Sequence, residues 1–357
     1  MRTLTIALLL LAATAAFAQE VQEQDPFIET IFVVRYTLDV RVTDSQGRAI
    51  DDLEAEDFIV TLGGKTAHVD GAAWIRAGHQ PKLAEVPEMD DEILEDDEYL
   101  DESTPDEEAD EQRSILLFIQ TDFTRVSGRV AGQMKFNHLS DAIVEMLGPN
   151  DRVAVLSHDS RLKFRRDFTF DRQSIRKAIR ESLFIDYPPF PAPTREGSSL
   201  TGFLDPIEMK NAAHAEAALL VIANALQNIE GVKMIILAGW GVGTLQGRSG
   251  VLLKQEWYDA MAILNHDHTP VITLGTGLYG GELTRGLKAI AAATGGFHSD
   301  TQEFSGQALR RVEGALAGRY ALTLRMDDLL QPGRYPLVVK VTRKGAEVQA
   351  PPFVTHN

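Results

Sequence analysis

The chain has no cysteine among its 357 residues. This absence excludes disulfide bonds, cysteine-based zinc sites, thiol nucleophiles and redox motifs. The fold must therefore depend on a hydrophobic core, and a chain of this length can bury one large core and a second, smaller one.

Long apolar runs are confined to the N-terminus. Residues 1–18 are predicted to be a signal peptide. Arg2 gives it a positive start, and the apolar run Leu4–Ala16 is too short to span a bilayer comfortably. Ala16-Phe17-Ala18 forms a cleavage site of the small-x-small kind, which makes Gln19 the first mature residue. No cysteine follows this site, so a bacterial lipoprotein anchor is excluded.

No later segment has the length and apolarity of a membrane span. The best candidate, Ala212–Leu226, is interrupted by His214, Glu216 and Asn224. The sequence therefore predicts an exported protein, periplasmic or extracellular, without a transmembrane segment.

Basic residues are missing from one long stretch. Residues 85–111 contain 16 acidic residues and no lysine or arginine, so the rest of the chain is nearly neutral although the net charge is −17. Self-repulsion and few core-forming residues predict a solvated, disordered linker here. The alternatives are a ligand for a basic partner and a weak Ca²⁺ binder. Nucleic-acid binding is excluded because no concentrated basic surface is present.

Both ends of the chain carry strand patterns. Residues 31–43 are rich in β-branched side chains and end in the turn Asp44-Ser45-Gln46-Gly47. Near the C-terminus, residues 319–325 and 335–341 alternate with period two, which is typical of an antiparallel sheet with one wet face. We therefore expect the strands of both ends to form one β-domain.

The central region alternates buried strands and helices. Strands are predicted at 114–119, 153–157, 162–168, 232–238 and 271–274, with a short sixth strand after Thr294-Gly295-Gly296-Phe297. Helices are predicted at 130–147, 171–179, 208–229, 283–293 and 302–316. Because the strand segments are apolar without alternation, both faces of the sheet should be covered.

This region resembles a von Willebrand factor type A domain of the exported bacterial kind often described as acidobacterial. The resemblance depends on the first apolar strand, on GPNDRVAVLSHDSRLKFRRDFTFDRQSIRKAI and on VKMIILAGWG. It implies an α/β fold with a doubly wound, mostly parallel six-stranded sheet of order 3-2-1-4-5-6 and one short antiparallel edge. The N-terminal stretch VRVTDSQGRAIDDLEAEDFIVTLGGK also resembles the small β-sandwich piece that precedes the A-type domain in this family. We infer that the C-terminal strands join it in one immunoglobulin-like β-sandwich. The predicted units are a signal peptide at 1–18, sandwich parts at 27–79 and 319–354, an acidic disordered linker at 80–112, and the A-like domain at 113–318.

The resemblance also implies where a metal-dependent adhesion site would lie. The family's motif Asp-x-Ser-x-Ser ends the first strand, where this chain has Gln120-Thr121-Asp122-Phe123-Thr124. Gln120 replaces the first carboxylate and Asp122 the first hydroxyl, so that Thr124 alone matches. Trp240 stands near the end of the fourth strand, where relatives often have an acidic residue, and an indole does not ligate a hard cation.

These departures predict a degenerate metal site and no required cofactor. The alternative is a Mg²⁺ or Mn²⁺ site of altered geometry built from Asp122, Thr124 and a hydroxyl of Ser198, Ser199 or Thr201. Asp122 is equally explained as a loop residue that hydrogen-bonds its own backbone.

The resemblance implies a protein-interaction module, and the residues at the predicted ligand edge suit one. Gln120, Asp122, Thr124 and Ser199 lie there, together with aromatic side chains at Tyr187, Phe190 and Trp240. Aromatic residues are frequent anchors of protein interfaces. An equally supported reading is that they pack the proline-rich segment 186–203 against the sheet.

Enzymatic chemistry has little support in the sequence. There is no Gly-x-Ser-x-Gly elbow, and the glycine-rich segment 275–281 lacks the phosphate-loop lysine. His266-Asp267-His268 is better explained as a helix end than as a zinc site. A hydrolase that uses Asp122 and His158 is the least favoured alternative, because no nucleophile is evident. We therefore predict an adhesion-type protein that is not an enzyme.

Overall fold

The computed structural model describes most of the chain between the predicted leader and the C-terminus. The described residues are 34–77, 112–121, 138–184, 186–247, 250–277, 283–301, 305–326 and 331–356. The predicted signal peptide and nearly all of the acidic segment 80–112 lie outside them.

Fifteen strands are described, numbered in chain order. They are β1 (Val34–Thr43), β2 (Phe58–Leu62), β3 (Lys65–Arg76), β4 (Arg113–Gln120), β5 (Asp151–His158), β6 (Leu162–Thr169), β7 (Val232–Gly239), β8 (Thr244–Gln246), β9 (Gly250–Leu252), β10 (Val271–Gly275), β11 (His298–Asp300), β12 (Gly318–Met326), β13 (Gly333–Val341), β14 (Glu347–Gln349) and β15 (Phe353–His356).

The described helices are also numbered in chain order. They are α1 (residues 138–146), α2 (Arg172–Glu181), α3 (Pro206–Asn211), α4 (Ala215–Leu226), α5 (Gln255–His266), α6 (Thr284–Thr294) and α7 (Ser305–Ala317). Among the described residues, no helix combines the length and apolarity needed to cross a bilayer.

The central sheet has six strands in the order β11-β10-β7-β4-β5-β6. Neighbouring strands are parallel except for β5 and β6, which are antiparallel. The predicted order 3-2-1-4-5-6 is therefore confirmed, although the antiparallel edge strand β6 is not short and has eight residues.

Helices cover both faces of this sheet. All eight residues of β4 are buried. Since successive side chains of a strand point to opposite faces, Leu116 and Phe118 pack with α4, α5 and α6, whereas Ile115, Leu117 and Ile119 pack with α1, α2 and α7. The mixed α/β architecture with a covered sheet, expected from the apolar strand pattern, is confirmed.

The N- and C-terminal strands form a second sheet of seven strands, in the order β14-β1-β12-β3-β2-β13-β15. All of its pairs are antiparallel, and strands from the two ends of the chain are interleaved: β1 lies between β14 and β12, and the pair β3-β2 lies between β12 and β13. Tyr320 lies in its core, donates a hydrogen bond to the Ile50 carbonyl at 2.9 Å and accepts one from the Leu53 N–H at 2.9 Å. The expectation that both ends build one β-structure is confirmed, and the immunoglobulin-like sandwich stays a prediction.

The two sheets are joined by direct contacts at α7. A Cβ atom at Gly314 would lie 2.1 Å from the Gly47 carbonyl, so glycine is required where α7 crosses the turn after β1. Arg113 makes a bidentate ion pair with Asp151 and also donates to the Leu316 carbonyl at 3.0 Å. The last turn of α7 then continues into β12.

The single helix predicted at 208–229 is wrong. The structure has two helices, α3 and α4, separated by Ala212–His214. The side chain of His214 accepts a hydrogen bond from the Ala217 N–H at 3.2 Å and so caps a new helix. The alanines on both sides of the junction keep helical spacing, so the sequence pattern gave no sign of a cap at His214.

Candidate functional site

The candidate site is the edge of the central sheet at which the parallel strands end. β4 ends at Gln120, β5 at His158, β7 at Gly239 and β10 at Gly275. In open sheets of this kind, ligands bind outside the carboxyl ends of the strands, where connections on opposite faces diverge. The predicted ligand edge therefore exists in the structure, and its chemistry depends on what these ends present.

Gln120 is a structural cross-link between two strand ends. Its Nε2 donates to the Gly241 carbonyl at 2.8 Å, and its Oε1 accepts from the backbone N–H groups of Trp240 at 3.1 Å and Gly241 at 3.2 Å. The side chain is only 6% exposed. A Cβ atom at Gly239 would lie 2.5 Å from Gln120 Oε1, so a glycine is needed beside it. The amide uses its donor and its acceptor at once, which a carboxylate cannot do.

The end of β5 is also occupied by structural contacts. Thr121 donates its backbone N–H to the His158 carbonyl at 2.7 Å, which prolongs the pairing of β4 and β5. His158 is buried, and its Nε2 lies 2.9 Å from the Ala212 carbonyl, which requires the tautomer protonated on Nε2. The imidazole therefore anchors the junction between α3 and α4 to the sheet.

Asp159, next along the chain, is paired as well. Its carboxylate contacts Lys163 Nζ at 2.5 Å and accepts from the Ser160 N–H at 2.6 Å. Burial acts to raise the pKa of Asp159, but the hydrogen bonds from Lys163 and Ser160 outweigh it and hold the pKa below its usual value. Asp159 is thus a charged, paired residue at neutral pH and not a proton donor.

Trp240 lies partly buried at the end of β7. Its backbone N–H is bonded to Gln120, while its indole Nε1 is buried without a hydrogen-bond partner among the described residues. The indole offers no oxygen ligand for a cation at this edge.

Ser199 and Thr201 are engaged by a residue that the sequence reading did not identify, Asp167. The carboxylate of Asp167 accepts from the Ser199 hydroxyl at 2.5 Å and from the Thr201 hydroxyl at 3.2 Å. It also accepts three backbone N–H groups, from Phe168 and Thr194 at 2.9 Å and from Leu200 at 3.0 Å. Asp167 is 3% exposed and fastens the proline-rich segment to β6.

These hydroxyls lie away from the carboxyl edge. β6 runs antiparallel to β5, so that Arg166 pairs with Val155 and Thr169 with Val153, whereas Gln120 pairs with His158. At about 3.3 Å per strand residue, Asp167 is roughly 10–16 Å along the sheet from the Gln120 end. The structure therefore does not bring Ser199 or Thr201 together with Gln120.

Ser198 belongs to the same distant region. Its carbonyl accepts from Arg152 Nη1 at 2.7 Å, and Arg152 stands at the start of β5. The other metal candidates, Asp122 and Thr124, lie outside the described residues. Within the described part of the chain, no cluster of three histidine or acidic side chains is arranged to hold a metal.

Tyr187 is placed at the carboxyl edge. Its ring is stacked by the Arg161 guanidinium, 4.4 Å from the ring centroid, and its hydroxyl accepts from Arg161 Nη2 at 3.2 Å. Arg161 stands in the turn between β5 and β6, next to the ends of the parallel strands. Tyr187 is nevertheless 76% exposed, so the pair forms a rigid, accessible aromatic surface.

Two phenylalanines near Tyr187 in sequence are also exposed. Phe190 packs edge-on against Phe164, with ring centroids 5.4 Å apart, and remains 39% exposed. Phe184 is 56% exposed, and its carbonyl is held by Arg165 at 3.1 Å. We call the surface formed by Arg161 and Tyr187 the Tyr187 patch. Phe190 packs the proline-rich segment against the sheet, as one of the two sequence readings predicts. Tyr187 is exposed and accessible to a partner, as the other reading predicts.

Comparisons with known proteins were made for the sequence and for the fold. No family model matches the sequence, and no curated protein matches it. Solved structures do match. The von Willebrand factor domain of the type V pilus tip protein Mfa5 from Porphyromonas gingivalis is 12% identical over 58% of this chain and 95% of that one, with a TM-score of 0.40.

Two further structures are similar to the same degree. A von Willebrand factor type A protein from Catenulispora acidiphila is 10% identical over 89% of this chain and 71% of that one, with a TM-score of 0.40. The PilB minor pilin from Streptococcus sanguinis is 13% identical over 58% and 60%, with a TM-score of 0.35. The match to the three N-terminal domains of Mfa5 spans 20% of that structure. At these TM-scores, the function must be argued from the site itself.

Proposed function

We propose that this protein is an exported interaction module that binds a protein partner at the carboxyl edge of its six-stranded sheet, with little or no dependence on a metal ion. The module is of the von Willebrand A kind, inserted between two parts of an immunoglobulin-like sandwich. Export is supported by the signal-like residues 1–18.

The observation that carries the metal-independent part of the proposal is the bonding of Gln120. A hard cation requires oxygen ligands with lone pairs directed at it, and preferably carboxylates. At the first ligand position, this chain has a neutral amide whose oxygen already accepts two backbone N–H groups. The hydroxyls of Ser199 and Thr201 are likewise bonded, to Asp167.

The partner surface is argued from the Tyr187 patch. Tyrosine and arginine are enriched among the residues that dominate binding energy, because they bury a large area with few rotatable bonds. Arg161 already holds Tyr187 by a stacked and hydrogen-bonded contact, so little side-chain entropy would be lost on binding. The partner should therefore present a concave, apolar pocket with an acidic or carbonyl rim for Arg161.

Site-specific crosslinking tests this proposal. A photoreactive phenylalanine analogue placed at Tyr187 in the mature chain is expected to capture one defined protein from the exported fraction of the source cells. The yield should be the same in EDTA and in Mg²⁺. With that partner purified, Tyr187→Ser should weaken binding about 10- to 30-fold, as expected for the loss of a central aromatic anchor.

The matched control is the same analogue at Val338, which is 47% exposed on the seven-stranded sheet. At this position the analogue should capture no protein whose crosslinking is reduced by an excess of unlabelled wild-type protein. Equal capture from both positions would refute a specific patch, and capture that vanishes in EDTA would refute metal independence.

A further inference from the structure

The segment that begins at Tyr187 is rich in proline. Residues 187–194 have the sequence YPPFPAPT, in which no side chain is charged. The ring of proline fixes φ near about −65°, and the residue before a proline is confined to extended or polyproline II backbone. Every residue from 187 to 193 is a proline or directly precedes one. Local sterics alone therefore favour a polyproline II helix over this segment.

The burial of this segment repeats every third residue. One residue in three is partly buried, and the residues between are exposed. The partly buried residues are Pro188, Pro191 and Thr194, and the exposed ones are Pro189, Phe190, Ala192 and Pro193. A polyproline II helix has three residues per turn, whereas side chains alternate with period two in a strand. The segment, which is neither α-helix nor strand in the structure, therefore lies on the protein along one edge and presents its other two edges to solvent.

The partly buried edge is fastened to the rest of the domain. The Thr194 N–H donates to Asp167 at 2.9 Å, and the Pro191 carbonyl accepts a hydrogen bond from Thr201 Oγ1 at 3.4 Å. The Tyr187 patch holds the other end of the segment through the stacked and hydrogen-bonded contact of Arg161. Since both ends are held, the conformation exists before binding, and little conformational entropy would be lost when a partner docks.

The two exposed edges form an apolar ridge. One edge carries Pro189 and Ala192, and the other carries Phe190 and Pro193. Phe190 is 39% exposed although its ring contacts Phe164, so both edges keep apolar side chains accessible. At about 3.1 Å per residue, the ridge from 187 to 193 would be roughly 20 Å long. Because the ridge carries no charge, a partner surface complementary to it must be apolar rather than ionic.

We propose that residues 187–193 are a polyproline II ligand, which the partner of the Tyr187 patch binds in a groove lined by aromatic side chains. This inference rests on the proposed function, because it names the class of partner for the same site. Proline-rich helices dock in aromatic-lined grooves, since their conformation is preformed and their rings present flat apolar faces. A three-sided helix enters a groove with two of its edges, and two edges are what this segment leaves exposed.

The test measures binding of whole mature chains with substituted prolines to the purified protein that is crosslinked from Tyr187. Pro189→Val combined with Pro193→Val keeps apolar side chains of similar size, but it frees φ and restores the N–H group at each position. The affinity for the partner should fall at least about tenfold, because the ridge loses its fixed conformation and its rings. The unfolding midpoint should fall by no more than about 3 °C, because both residues are exposed.

Pro206→Val is the matched control, because Pro206 is exposed in the first turn of α3, outside the ridge. This variant should bind the partner like the wild type. If the double variant binds within about twofold of the wild type, or no more weakly than Pro206→Val, the partner does not recognise the helix. The inference is then overturned while the proposed function stands. If no protein is captured from Tyr187, the inference and the proposed function both fail.

Discussion

Replacing Asp167 by alanine is expected to lower the free energy of unfolding by about 3–5 kcal/mol. The change removes a buried carboxylate that accepts hydrogen bonds from three backbone N–H groups and two hydroxyls. These donors would be left without their acceptor in a site that water reaches poorly. Because Thr194 and Leu200 are among the donors, the segment that presents Tyr187 and Phe190 should lose one of its attachments to β6.

Urea unfolding of the mature chain measures this effect, and Asp205→Ala provides the matched control. Asp205 caps α3 by accepting from the Ile207 N–H at 2.7 Å, in an exposed position just after the proline-rich segment. Its removal should cost only about 1 kcal/mol. If Asp167→Ala is no more destabilising than Asp205→Ala, the central role given to Asp167 is wrong.

Replacing Gln120 by glutamate should destabilise the protein by about 3 kcal/mol at pH 8. The substitution keeps the shape of the side chain but removes the donor to Gly241 and sets a buried negative charge against that carbonyl. The introduced carboxyl should have a raised pKa, because burial and the carbonyl both disfavour its charged form. The loss should therefore be smaller at pH 5, where a protonated carboxyl can again donate to Gly241, and should grow as the pH rises.

Gln120→Met is the neutral comparison for this experiment. Methionine has a similar length but makes no hydrogen bonds. The free energy of unfolding should therefore fall by about 2 kcal/mol, and by the same amount at pH 5 and pH 8. Guanidinium unfolding at both pH values gives the comparison. A glutamate variant as stable as the wild type at pH 8 would mean that Gln120 can be replaced by a carboxylate, and the structural reading of this position would fail.

The apolar pattern of the sequence was sufficient to predict the strands of the central sheet, whereas their order was predicted from the resemblance to a known family. Apolar runs without alternation, such as Ile115–Ile119, occur where both faces are covered, and the structure has both faces covered. The pattern failed where polar side chains interrupt or cap an element. His214 divides one predicted helix into two. Of α5, only the helix end at His266–His268 was predicted, and it is confirmed; the β8–β9 hairpin was not predicted.

The site was harder to predict because its chemistry depends on contacts between distant segments. Nothing near Gln120 in sequence shows that its amide closes on Gly241, 121 residues away. Ser199 was assigned to the ligand edge from its place in the chain. In the structure, its hydroxyl is bonded to Asp167 near the other end of β6. An acidic residue inside an otherwise buried strand was the signal that could have identified Asp167.

The central claim is that the carboxyl edge works without a bound metal, and thermal unfolding of the mature chain in EDTA, Mg²⁺ and Mn²⁺ tests it most directly. A metal that binds only the folded state must raise the midpoint, by about 2.7 kcal/mol in free energy at a hundredfold excess over its dissociation constant. The account predicts the same midpoint in all three conditions, for the wild type and for Asp122→Ala. A rise in Mg²⁺ or Mn²⁺ that Asp122→Ala abolishes would contradict it.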